Sequence, residues 1–252
     1  MIDPSAALLV VGNEVLSAKV RDENGPWAAR RLRELGVRLL AIHVVADEAL
    51  DIGAAVNAER RRASWVFTSG GVGPTHDDIT VSAVAAALGR PLVRLAPLEM
   101  AIREIHRRHH GEEEPPEVAL RMADVPEGTR LLGDPSFPTL AVENVVMLPG
   151  PPRFFRYQFE QVAPLLTGPP FRLATVFLAV GEERFAAILA AAAKAHPGVE
   201  VGSYPQFDEV TDHRVRVILE SRDAGAVRAA LRALLAELPR EWVIRVEENL
   251  GE

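Results

Sequence analysis

The segment TSGGVGPTHDDIT, residues 68–80, sets Gly70, Gly71 and Gly73 close together and follows them with Asp77 and Asp78. Glycines reach backbone angles that other residues resist, and they let a ligand approach the main chain. A helix N-terminus just beyond such a loop adds unpaired N–H groups and a positive dipole end. That combination suits a phosphate cradled by Ser69, Gly70, Gly71, Val72 and Gly73, with Thr75 and His76 at its edge. Two carboxylates beside an anion site pose a charge conflict with two resolutions. They are first-turn acids favoured by the helix dipole, each worth ~0.3–1 kcal/mol, or they share a divalent cation with the phosphate. Magnesium takes one or two carboxylates plus phosphate oxygens and water, and such a cation polarises a phosphoryl group or activates water. The pair Thr75 and Asp78 fits the Thr-x-x-Asp capping pattern, which predicts that the helix starts there. The loop has neither the Gly-Lys-Ser/Thr ending of a P-loop nor the Gly-x-Gly-x-x-Gly spacing of a dinucleotide fold.

The elements around the loop alternate. β-rich runs at 7–12, 37–45 and 64–70 are separated by helical patterns at 24–35 and 50–62. This predicts a mostly parallel sheet with helices on its faces, and ligands beyond the carboxyl ends of the strands. Asp47 follows one predicted strand and is either a site acid or an N-cap for the next helix. Glu14 is either a metal ligand at the same edge or a turn acid. Further on, LPGPP at 148–152 is a strand-to-helix turn in which Gly150 could offer an N–H to a phosphate, because prolines cannot. Phe155, Phe159, Val162 and Leu166 form one stripe of the helix that follows. After a boundary at TGPP, residues 167–170, the pattern reads β-α-β-β-α-β, the order of a ferredoxin-like unit. This divides the chain at 1–168 and 169–252.

Taken in order, these segments closely resemble the CinA-type branch of the molybdopterin-binding domain family. The resemblance is carried by TSGGVGPTHDDIT, by VGNEVLSAKVRDENGPWAARRLRELGV with its Asp22-x-Asn24 pair, by VVADEALDI, by LGRPLV, and by RMADVPEGTRLLGDP and VVMLPGPP. It covers about residues 5–166. GSYPQF and HRVRVILESRD are similar to the second subdomain of the branch fused to eukaryotic FAD synthases. The resemblance implies a three-layer α/β/α domain with a nucleotide or pterin-phosphate pocket, plus the small α+β unit. It implies a divalent metal (Mg, Mn or Co), with Asp78 and Asp47 as catalytic or metal-linked acids; beside them Asp77 and Glu14 are candidate further ligands from their place in the sequence. It also implies hydrolysis of a nucleotide pyrophosphate such as ADP-ribose or FAD. Alternatives are molybdopterin binding with adenylylation and a non-catalytic nucleotide sensor. Relatives form dimers or trimers, and a homo-oligomer, a dimer before a trimer, is expected. Two departures stand out: Asn13 replaces a common Asp or Thr, and Phe154 stands where a Glu is common. The chain ends before a deamidase or synthetase domain, so neither deamidation of nicotinamide mononucleotide nor FAD synthesis is expected.

Composition narrows the rest. The net charge of −7 argues against a nucleic-acid surface, although one local site can still oppose it. The absence of cysteine removes disulfides, thiolate nucleophiles and Cys-ligated metals. Only a short apolar run, 6–11, lies near the N-terminus with no basic segment before it, and nothing approaches a membrane span. A soluble, cytoplasmic protein with no membrane partner is expected. The histidines of HRRHHGEEEPPE, 106–117, read as a solvated loop or frayed helix end. Tyr204 and Phe207 of GSYPQFDE, 202–209, are either packing aromatics or a stacking surface for a ring.

Overall fold

The computed structural model describes residues 4–207 and 212–251, so Asp208 and Glu209 of the 202–209 stretch lie outside the described residues. The chain divides into two compact units, one ending at Pro169 and the other beginning at Pro170.

In the first unit β1 (Ser5–Val11), α1 (Asn13–Leu16), α2 (Asn24–Glu34), β2 (Arg38–Val45), α3 (Ala49–Glu59), β3 (Trp65–Ser69) and α4 (Thr80–Ala87) alternate as the sequence predicts. There follow β4 (Leu92–Arg94), α5 (Ala96–His110), α6 (Glu117–Leu120), β5 (Asp124–Pro126), β6 (Arg130–Leu132), β7 (Thr139–Val142), β8 (Val145–Leu148) and α7 (Pro152–Val162). The main sheet has the order β2-β1-β3-β8-β7-β6. Its first four strands are parallel, and β7 and β6 complete it antiparallel. β1 is apolar and buried from Ala6 to Val11 because both of its faces are covered. Ala6, Leu8 and Val10 pack with Ala28 and Leu32 of α2 and Phe155 and Phe159 of α7. Ala7, Leu9 and Val11 pack with Ile52 and Val56 of α3 and Val84 of α4. The result is the three-layer α/β/α arrangement. The α7 stripe of Phe155, Phe159 and Val162, with Leu166 beyond it, is buried. Trp27 meets Phe159 edge-on with ring centroids 5.2 Å apart.

β4 and β5 pair beside the main sheet. Leu98 of α5 packs with Ala123 and Val125, and Ile102, Leu131 and Leu140 join them. Of the two readings of the histidine-rich segment, its start is a helix end: α5 runs to His110, and His106 stacks on His110 at 4.4 Å.

The second unit contains β9 (Arg172–Leu178), α8 (Ala186–Ala195), β10 (Glu200–Pro205), β11 (Val215–Ser221), α9 (Ala224–Glu237) and β12 (Val243–Asn249). Its sheet order is β10-β11-β9-β12, antiparallel throughout, which is the ferredoxin-like arrangement. Asp223 caps α9 by accepting the Gly225 N–H at 2.7 Å. A 3₁₀ turn, Glu182–Arg184, leads into α8. Phe185 leaves helical angles (φ −123°, ψ 2°) between them, and its ring is buried. Among the described residues, no helix is long and apolar enough to cross a membrane.

One buried acid ties the edge of the main sheet to its helix layer. Glu59, at the end of α3, accepts from Arg62 at 2.7 Å and pairs with His43 Nε2 of β2 at 2.8 Å. Burial pushes its carboxyl pKa up, but the hydrogen bonds from Arg62 and His43 outweigh this and hold it below the usual range. A folded-state value below the unfolded one stabilises the fold above the unfolded value, and that stability is lost as pH falls through the folded value. Glu59→Gln is therefore expected to lower unfolding stability at pH 7 by about 1–3 kcal/mol. Urea titrations should show the difference shrinking as pH drops below the ordinary glutamate range. A difference that persists in acid would contradict this assignment.

Candidate functional site

The parallel strands β1, β3 and β8 end side by side, and each is followed shortly by a glycine: Gly12, Gly70 and Gly150. The Gly70 N–H donates to the Leu148 carbonyl at 3.0 Å, which locks the two loop starts together. Gly70 and Gly71 both have positive φ, +104° and +68°. A side chain at Gly71 would collide with the Thr80 hydroxyl as well as being strained. Thr80 opens α4 and is fully buried. Its hydroxyl donates to the Gly70 carbonyl at 2.8 Å and its N–H to the Gly71 carbonyl at 2.9 Å. The first residue of the helix thus clamps the glycine loop from inside.

The helix start differs from expectation. Thr75 and Asp78 do pair, but in a turn that precedes α4, which begins at Thr80. The Thr75 N–H donates to Asp78 Oδ2 at 2.8 Å, and the Thr75 hydroxyl donates to the same oxygen. The Asp78 carboxylate lies against Gly73, where a Cβ would come within 2.7 Å of Oδ2. Hydrogen bonding to the Thr75 hydroxyl and then to its own backbone holds the Asp77 carboxyl below the usual range. That hydroxyl has one proton and its contact with Asp78 claims it, so the backbone N–H is the partner Asp77 keeps.

Asp47 does not cap α3. Glu48 occupies the cap position of that helix, without a side-chain bond. Instead Asp47 Oδ2 accepts the Asn13 N–H at 2.8 Å, joining the turn after β2 to the turn after β1. The departure at Asn13 costs nothing here, because the contact uses the backbone. The Glu14 carboxylate folds back over Gly12, where a Cβ would lie 2.5 Å from Oε1.

Asp22 and Asn24 serve the frame. Asp22 Oδ1 accepts the N–H groups of Asn24 and Gly25 at 2.9 and 3.0 Å and starts α2. The buried Asn24 Nδ2 donates to Ser69 Oγ at 2.8 Å and to the Gly150 carbonyl at 2.7 Å. Gly150 sits so close to the loop that a Cβ there would be 3.4 Å from the Gly70 Cα.

Between these groups lies a cavity of about 490 Å³. Its lining includes Glu14, Asp47, Asp77, Asp78 and the loop residues Gly70, Gly71, Val72 and Gly73, with Gly150. It also includes apolar residues, Leu98, Ile102 and Ile105 of α5, Met122, Leu140, Phe137 and Phe154, and the polar Gln158. Ser69, Thr75 and His76 do not line it. Ser69 is spent on Asn24, Thr75 is spent on Asp78, and the His76 side chain is 98% exposed. The cavity lining belongs to the first unit, and Tyr204 and Phe207 of the second unit, 48% and 91% exposed, are not part of it. The wall from α5 was not foreseen. The spacing of Leu98, Ile102 and Ile105, at i, i+4 and i+7, is the signal that could have revealed it.

The family profile described as "Probable molybdopterin binding domain" matches residues 7–168, well over half of the chain. The chain belongs to this family. A second profile, "FAD synthase, middle domain", matches residues 170–247. A protein from Aeropyrum pernix is 36% identical, over 98% of this chain and 95% of its own length. A "Probable FAD synthase" from Caenorhabditis briggsae is 31% identical over 92% of this chain and 49% of that protein. A CinA-like protein from a Mycobacterium species is 40% identical over 59% of this chain and 38% of that protein. The chain therefore spans half or less of the length of these last two relatives. The crystal structure of a CinA protein from Thermoplasma acidophilum matches with a TM-score of 0.57 and 28% identity, over 64% of this chain and 97% of that one.

In this molybdopterin-binding domain, no three His, Cys, Asp or Glu side chains among the described residues gather into a complete metal cage. The donor set fits a hard cation that completes its shell from substrate and water. Asn13 donates to Asp47 Oδ2 and Thr75 donates to Asp78 Oδ2, so each carboxylate is oriented through one oxygen. The cradle itself depends on Thr80. Thr80→Val keeps the shape but strands the Gly70 carbonyl, and should cost about 1–3 kcal/mol of unfolding stability. Chemical denaturation checks this, and an unchanged midpoint would show that the hydroxyl does not hold the loop.

Proposed function

We propose that the protein hydrolyses the pyrophosphate bond of a nucleotide such as ADP-ribose or FAD with the aid of Mg, Mn or Co. The observation that carries this reading is one cavity whose lining includes both the Gly70–Gly73 loop and the acids Glu14, Asp47, Asp77 and Asp78. Backbone N–H groups of Gly71, Val72 and Gly73 hold one phosphate and neutralise charge that develops on its equatorial oxygens. Asp78 and Asp47, with Asp77 and Glu14 at the margin, would hold the cation, its remaining positions filled by substrate and water. When bound, the cation supplies positive charge between carboxylate and phosphate and polarises the phosphoryl group. The attacking water gives up its proton to solvent. The water oxygen forms the new P–O bond, and the bridging oxygen leaves with its electron pair on the second phosphate. The apolar part of the lining excludes water from the remainder of the substrate.

A second reading, binding of molybdopterin with transfer of an adenylyl group, is favoured by the name of the family profile that covers the first unit. The match of the second unit to the middle domain of FAD synthase favours the dinucleotide reading over it.

A panel of FAD, ADP-ribose and molybdopterin with ATP, each with Mg²⁺, Mn²⁺ or Co²⁺, separates these readings by product. Mononucleotide products are expected from FAD or ADP-ribose, abolished by chelator and restored by metal. Asp78→Asn should lower turnover about 10²-fold or more. Adenylylated molybdopterin as the product would establish the second reading. Tight nucleotide binding without any product would indicate a sensor. Turnover indifferent to Asp78→Asn would remove the site assignment.

A further inference from the structure

Phe154 is a half-exposed phenyl, 46% accessible, on the first turn of α7. The next residue, Phe155, is fully buried, so the helix register turns Phe154 away from the core and onto the cavity wall. Phe137, from the loop before β7, meets it edge-on with centroids 5.7 Å apart. Tyr157, one turn along α7, tilts against Phe137 at 6.1 Å and anchors itself by donating its hydroxyl to Asp134 at 2.8 Å. The two phenylalanines are thus held as one aromatic wall. Pro151 and Pro152 precede it and carry no N–H, so the chain entering α7 offers little to an anion at this point. Ile102 and Ile105 of α5 line the same cavity.

We propose that Phe154, supported by Phe137, is the specificity-determining residue of this cavity and recognises the flat heterocyclic base of a nucleotide. The ligand class is a base-bearing nucleotide, not a sugar phosphate or inorganic diphosphate. The proposal rests on the reading of the cavity as a nucleotide site, but it concerns binding and not the hydrolytic step. A planar ring against a phenyl gains stacking and covers apolar surface that is otherwise wet. A ligand without a base gains neither and relies on the glycine loop and the cation alone. The family's common glutamate at this position would supply charge where this chain supplies a π face.

The test is binding of AMP, FMN and the non-hydrolysable, base-free methylenediphosphonate, each with Mg²⁺, by isothermal titration calorimetry. Wild type is compared with Phe154→Leu, Phe154→Tyr and Phe137→Leu. Phe154→Leu should weaken AMP and FMN about tenfold or more, while methylenediphosphonate changes less than about twofold. Phe154→Tyr should restore nucleotide binding, and Phe137→Leu should give an intermediate loss. Unchanged nucleotide affinity in Phe154→Leu, equal weakening of all three ligands, or no saturable binding of AMP or FMN to wild type would overturn the proposal. Hydrolysis of FAD and ADP-ribose is followed on the same preparations. Base-selective binding without hydrolysis removes the hydrolytic reading and leaves this one standing.

Discussion

The side-chain amide of Asn24 donates to Ser69 at the end of β3 and to the Gly150 carbonyl beyond the end of β8. Both loops of the cavity lining are held by this one group, because a buried donor that lost either acceptor would be left partly unsatisfied. Asp22 fixes Asn24 in turn by starting α2 directly beneath it. Thr80 completes the arrangement from the other side by fastening Gly70 and Gly71 to the first turn of α4. Gly70 and Gly71 take positive φ without the strain another residue would meet, and this frame fixes them there, so the loop carries no side chain at either position.

The charge conflict in TSGGVGPTHDDIT takes a definite form in three dimensions. Asp78 is not a helix-dipole acid, since the helix begins two residues after it. Its carboxylate is oriented by Thr75 through a single oxygen, and Asp47 is oriented through a single oxygen by the Asn13 N–H. Carboxylates held in this way are positioned acids. On the proposed reading of the glycine loop as a phosphate cradle, a divalent cation would balance their negative charge.

Much of this was legible in the sequence, and what was not has a common cause. The parallel sheet is written in the continuous apolar run of β1, and the buried stripe of α7 in the spacing of Phe155, Phe159 and Val162. The cradle shows in its glycines, and Asp47 and Glu14 show by following strands that end at one edge. The role of Asn24 was hidden because its partners lie 45 and 126 residues away. Thr75 and Asp78 carried a real local signal, a side-chain-closed turn, but that signal looks the same whether or not a helix follows at once. The apolar wall was hidden because a stripe on α5 reveals a buried face and not the neighbour it faces. The same limit applies to Phe154, a departure from the family pattern that acquires meaning only beside Phe137.

The central claim is that a divalent cation bridges Asp78 and a phosphate held by the Gly70–Gly73 loop. Anomalous scattering from crystals grown with Mn²⁺ and an ADP-ribose analogue that resists hydrolysis tests it most directly. The account predicts a manganese peak shared by the carboxylates of Asp78 and Asp47 and by an oxygen of the diphosphate lying over the loop. A diphosphate seated on the loop with no ion beside it, or manganese bound away from Asp78, would contradict the account.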